Sequence, residues 1–143
     1  MKKLYLKYHF TEATVPPPDY FEYLIVIDGL ECHYIFQPDY SINKPPFWIE
    51  RFLIDEKIQS LLINKIKMLS QHTREINNNM PVGDSLEWIE IIIDNEKLNI
   101  SSEVEKTNAL TEFYSFINQL VTQEIKQTIE EKYQTYKKNF DAE

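Results

Sequence analysis

The sequence predicts an α+β domain over residues 1–143: a mainly antiparallel sheet of about six strands, in the order β-β-β-β-α-β-β-α, with two helices on one face and a long C-terminal helix. Three observations carry that expectation. Short runs of strand-like periodicity recur between turn residues up to Ile54 and again from Leu86 to Ser101. Asp28-Gly29 supplies a hairpin signal between two of those runs. Two longer stretches, starting at Ile58 and Leu110, repeat their apolar residues at helical spacing.

Residues 3–10 alternate Leu4, Leu6, Tyr8 and Phe10 against Tyr5, Lys7 and His9, the pattern of a half-buried strand. Pro16-Pro17-Pro18 cannot continue a ladder, because proline lacks the backbone donor, and reads as a stiff polyproline connector. Tyr20 to Asp28 is apolar on both alternating faces, as a central strand requires, and Glu31 to Gln37 is its return. After a loop from Pro38 to Pro46, Phe47 to Ile54 makes a fourth strand. It carries Trp48 and Phe52 on one side and Ile49 and Leu53 on the other.

Asp55 is placed to cap a helix whose stripe is Ile58, Leu61, Leu62, Ile66 and Leu69. Gln71 to Ser85 has no periodicity and reads as a long loop. Leu86 to Asp94 is the most β-prone run and belongs in the middle of the sheet; Leu98 to Ser101 pairs back on it. Ser102-Glu103-Val104-Glu105 is a capping box for the last helix. Its stripe runs through Leu110, Phe113, Ile117, Leu120, Val121, Ile125, Ile129 and Tyr133. Carried straight to Phe140 it would extend roughly 57 Å at 1.5 Å per residue. A domain of this size is only about 30–40 Å across. The helix must therefore break near Thr122-Gln123 or project from the body.

Composition narrows the classes of function. At 143 residues, 43% hydrophobic and 27% charged, the chain builds one globular core and is not a disordered acidic tail. Two glycines exclude a phosphate-cradling glycine loop, and a single cysteine, Cys32, excludes an internal disulfide framework. Apolar runs fall short of a membrane span, and Lys2, Lys3 and Lys7 interrupt any signal-peptide core, so a cytoplasmic location is expected.

The net charge is −8, and it is uneven. Residues 19–56 hold eight acids against Lys44 and Arg51, or −6, whereas residues 57–74 hold four bases and no acid. Such a field repels nucleic acid and anionic membranes and attracts a basic partner.

Tests for chemistry return little. His9, His33 and His72 lie in different segments, and Cys32 and His33, adjacent on a strand, point to opposite faces, so neither a metal nor another cofactor is expected. Cys32 could meet His9 only if the fold joined them, and a small core residue is its simpler role. Glu90 shares a face with Leu86, Trp88 and Ile92, and Glu50 shares one with Trp48, Phe52 and Ile54. Two carboxyls beside tryptophans, with His33, are the material for a ligand-binding or enzymatic pocket; solvation on an uncovered sheet face is the plain alternative.

Aromatics crowd the second to fourth strands among the acids, a mix suited either to a core or to the centre of a protein interface. The expected function is accordingly a small acidic protein that binds and occludes a basic partner protein, in the manner of an inhibitor, an immunity protein or a phage anti-defence protein. Its contacts are expected from Tyr20, Phe21, Glu22, Tyr40, Trp48 and Glu50. A dimeric secretion-type chaperone, pairing through the C-terminal helix, is the nearest alternative.

Overall fold

A computed structural model describes residues 3–12, 21–38, 47–70, 86–100 and 108–141. The polyproline connector, the loop from 71 to 85, the capping box at Ser102 and most of the loop from 38 to 46 lie outside the described residues. So do Tyr20 and Tyr40.

Nine elements are present among the described residues: β1 (Leu4–Thr11), β2 (Glu22–Asp28), β3 (Glu31–Gln37), β4 (Trp48–Leu53), α1 (Glu56–Ser70), β5 (Leu86–Ile93), β6 (Glu96–Ile100), α2 (Asn108–Leu120) and α3 (Gln123–Asp141). The α+β class and the antiparallel sheet agree with expectation. The six strands run in the order β4-β3-β2-β1-β5-β6, every neighbouring pair antiparallel. The N-terminal strand β1 thus lies inside the sheet, between β2 and β5.

Two tight turns fix the registers. In the β2–β3 hairpin the central residues are Gly29 and Leu30, because Asp28 pairs with Glu31. Gly29 has φ of +66°, the positive value that a type II′ turn requires at its first central position. Asp94 and Asn95 turn β5 into β6 with φ of 47° and 72°, the two positive values of a type I′ turn, for which these side chains are well suited. Both turns hold the start of β1: Gly29 N donates to Leu4 O at 2.8 Å, and Asp94 N to Lys3 O at 3.2 Å.

One sheet face is the core. Leu4, Leu6 and Tyr8 of β1, Ile25 and Ile27 of β2, Cys32, Tyr34 and Phe36 of β3, and Ile89 and Ile91 of β5 are buried there under the helices. Removing each large apolar side chain from water contributes roughly 1.5–3 kcal/mol. α1 starts as expected, with Ile58 N donating to Asp55 Oδ1 at 2.8 Å. Its buried stripe is Leu62, Ile63, Ile66 and Leu69; Leu61, expected inside, is 49% exposed. Buried Gln59 is satisfied through Nε2 donating to Gly29 O at 3.0 Å, which ties α1 to the β2–β3 turn.

The last helical stretch is two helices, so three helices cover the sheet where two were expected. The chain breaks at Val121-Thr122, and Thr122 Oγ1 caps α3 by accepting from Ile125 N at 3.3 Å. The stripe of the long helix therefore folds back on the sheet. Leu110, Phe113, Ile117, Val121, Ile129 and Tyr133 are all buried, and Leu120 and Ile125 pack against them.

Candidate functional site

The register assigns every described strand residue to a face, because directly paired residues in a ladder share a side. The face away from the core carries ordered rows of side chains. One row crosses five strands as Ile49, Ile35, Leu24, His9 and Trp88. The next reads Arg51, His33, Val26, Lys7 and Glu90, and the one after it Leu53, Glu31, Asp28, Tyr5 and Ile92. None of the apolar members of these rows belongs to the core or packs against it, so among the described residues the helices leave this face open.

Exposure concentrates at one edge. β4 is the outermost strand on its side of the sheet. Ile49 is 47% exposed, Leu53 77%, and Phe47, which precedes the strand, 48%; these are three of the five large apolar residues most exposed among the described residues. Among the described residues the backbone of β4 is open at the same place. Ile54 N donates to Leu30 O at 3.0 Å, so the even-numbered residues of this strand bond inward to β3. Ile49, Arg51 and Leu53 consequently turn their N–H and C=O groups outward.

Four acids of the acidic segment, Glu22, Asp28, Glu31 and Glu50, lie in this same half of the sheet, on β2, β3 and β4. Glu22, Asp28 and Glu31 lie on the open face, with Arg51 as the only lysine or arginine those strands contribute. Asp28 and Glu31 stand directly opposite each other, a like-charge pair that a nearby cation would relieve.

Further along the row, His9 packs on Trp88 with ring centroids 4.1 Å apart. Its Nε2 lies 3.5 Å from Glu22 Oε2, an ion-pair distance without good hydrogen-bond alignment. Burial lowers the His9 pKa below its ordinary value and outweighs the pull of the Glu22 carboxylate.

Two recesses flank β4. On the helix side, a groove of about 500 Å³ opens between Trp48 and the outer face of α3, lined also by Thr128, Glu131, Lys132, Thr135, Tyr136 and Asn139. Between β3 and β4 a smaller depression of about 230 Å³ is lined by Glu31, His33, Arg51 and Leu53, together with Cys32 and Phe52.

The residues expected to bind a partner divide between the two sides of the sheet. Glu22 is on the open face. Phe21 stacks on Phe10 and Phe36 and meets Tyr133 edge-on, inside the aromatic core. Trp48 stacks on Phe36 with centroids 5.9 Å apart, and Glu50 shares that helix-side face as the pair of Tyr34. The crowded aromatics of the second to fourth strands are thus mainly core. Glu50 and Glu90 lie on opposite faces, so they do not line one pocket. Cys32 and His9 are likewise separated by the sheet; Cys32 is 1% exposed, and burial pushes its thiol up to about 12. Among the described residues, no group of histidine, cysteine and carboxylate side chains could hold a metal ion. No helix among them is long and apolar enough to cross a membrane.

Phe47, Ile49, Arg51 and Leu53 are not among the expected contact residues, although Phe47 belongs to the aromatic crowd of the second to fourth strands. A signal for them existed. A short strand with Glu50 on one face and Arg51 on the other cannot be buried on both, which marks an edge.

No protein-family model and no curated protein matches this chain.

Proposed function

We propose that the protein is a non-enzymatic binding protein that docks a basic partner protein on the β2–β3–β4 half of its open face and on the β4 edge, and acts by covering that partner's working surface. The observation that carries this is the coincidence, on one edge strand, of exposed Phe47, Ile49 and Leu53 with outward-facing backbone groups. Apolar contact area supplies the holding energy of such a complex, and unpaired backbone groups supply its register. The surrounding carboxylates, with Asp28 opposite Glu31 at their centre, favour a basic surface and speed its approach. Glu22 keeps the role expected of it; Phe21 and Trp48 support the strands that carry the contact.

The test is capture from the native host with three immobilised forms of the protein: wild type, Ile49→Glu/Leu53→Glu, and Leu61→Glu. Leu61 is also an exposed apolar residue, but it lies on α1. A stoichiometric basic protein should be retained by the wild type and by Leu61→Glu, and lost from the β4 variant. Equal retention by all three, with the fold intact by circular dichroism, would rule out this face.

A further inference from the structure

Neighbouring charges of opposite sign at the middle of an exposed edge restrict which strand can join it. Glu50 is on the helix side of β4 and Arg51 on the open side, and among the described residues neither is engaged in an ion pair. Consider first a second copy of the same chain. If both sheets keep their helices on the same side, antiparallel β4 strands can pair only even with even and odd with odd residues. The two longest registers are then centred on Glu50 or on Arg51. One places Glu50 directly opposite its own counterpart, and the other does the same with Arg51. Each puts like charges at the closest approach of the two strands, which is destabilising.

A foreign strand escapes this conflict. We infer that β4 accepts one antiparallel strand of the partner protein, with a lysine or arginine opposite Glu50, an aspartate or glutamate opposite Arg51, and apolar residues opposite Ile49 and Leu53, and that the same two charges keep the edge from pairing with its own copy. This presupposes the protein-binding role proposed above and specifies the segment that meets the edge. Charge complementarity selects the occupant. The backbone of Ile49, Arg51 and Leu53 supplies the ladder. Side chains of the added strand alternate between the groove beside Trp48 and α3 and the open face beside the Arg51 depression.

On the opposite edge the described side chains of β6 are Glu96 and Lys97 alone. Both are exposed and charged at its start, the usual protection of an edge strand.

The experiment titrates two capped hexapeptides of identical composition into isotopically labelled protein and follows the amide signals of Ile49, Arg51 and Leu53. The matched peptide, Ile-Val-Glu-Lys-Val-Tyr, places its charges as inferred; the second exchanges its Glu and Lys. The matched peptide should shift the β4 amides and bind about tenfold more tightly than its twin, the size expected when two cross-strand charge pairs change sign. The protein variant Glu50→Lys/Arg51→Glu should reverse the preference. Glu50→Gln/Arg51→Gln, which removes both charges and leaves polar side chains, should erase it. Equal binding of the two peptides, or no β4 shift at millimolar peptide, would overturn the inference.

Self-exclusion has its own test. An equimolar mixture of wild type and Arg51→Glu should form dimers by sedimentation velocity while neither alone does so. A wild type that dimerises through β4 alone would refute that half. Equal peptide binding combined with capture that still depends on Ile49 and Leu53 would remove the strand register alone. Capture indifferent to both residues would remove the binding face beneath it.

Discussion

Tyr8 shows how single side chains set the limits of this core. Its ring is fully buried on β1, and its hydroxyl donates to Glu87 Oε2. Nearby, Tyr23 donates to Asn118 Oδ1 at 2.6 Å, and Asn118 Nδ2 donates to Tyr114 O at 2.8 Å, which ties the sheet to α2. Burial pushes the Tyr8 phenol far above its ordinary value and the Tyr23 phenol up to about 12, so both donate as neutral groups at physiological pH. The Tyr114 hydroxyl is also buried but has no hydrogen-bond partner among the described residues. The two tyrosines should therefore respond differently to loss of the oxygen. Tyr8→Phe removes a donor to a carboxylate and should destabilise by roughly 1.5–3 kcal/mol at pH 7. Tyr114→Phe removes a buried polar atom with nothing to bond, and should be neutral or stabilising by up to about 1 kcal/mol. Urea denaturation with an unchanged m-value measures both. A cost for Tyr114→Phe equal to that of Tyr8→Phe would contradict this assignment.

At the scale of elements, what the sequence disclosed follows from what is local. The alternation of Leu4, Leu6 and Tyr8 identifies β1, and Asp55 identifies the start of α1, because neither depends on distant residues. Strand order does not have that property. Nothing near β1 says that β5, some eighty residues away, pairs with it along its whole length. The side of each strand was equally obscure where both faces are apolar: Trp48 and Phe52 alternate with Ile49 and Leu53, and only the pairing with Phe36 and Cys32 places the first two inside. That is why the candidate partner residues fell on Trp48 and its aromatic neighbours, while the exposed row beside them was passed over. The helix break was foreseen as one of two outcomes. Packing decides it, since residues 108–141 in one straight helix would run about 51 Å. The six strands give them a sheet only about 24 Å wide. Turning back at Thr122 lets Ile129 and Tyr133 reach the core. Thr122→Ala, which removes the acceptor for Ile125 N, should lower stability by about 1 kcal/mol, whereas Thr122→Asp should restore it. No change in Thr122→Ala would mean that packing alone holds the break.

For the whole molecule, the decisive feature is that, among the described residues, one layer of helices covers one side of a sheet that has two. The remaining side keeps an apolar row from Ile49 to Leu24, and solubility then depends on charge: −8 overall, with a sequence pI near 4.9. At neutral pH this net charge opposes the approach of a second copy. Lowering the pH to the isoelectric point cancels the repulsion without removing the apolar surface. The protein should then self-associate, visible as a rise in light-scattering mass between pH 7 and pH 5 at constant protein concentration. Ile49→Thr/Leu53→Thr leaves every charge in place and puts β-branched residues at both positions, so it should suppress the rise if the apolar row of the open face, and not a β4–β4 ladder, is the adhesive surface. Leu61→Thr/Met68→Thr removes the other large exposed apolar residues, which lie on α1, and should not. The opposite ranking would move the sticky surface to the helical side. A rise suppressed by the β4 substitutions alone would put the adhesive surface on the same residues as the proposed docking face.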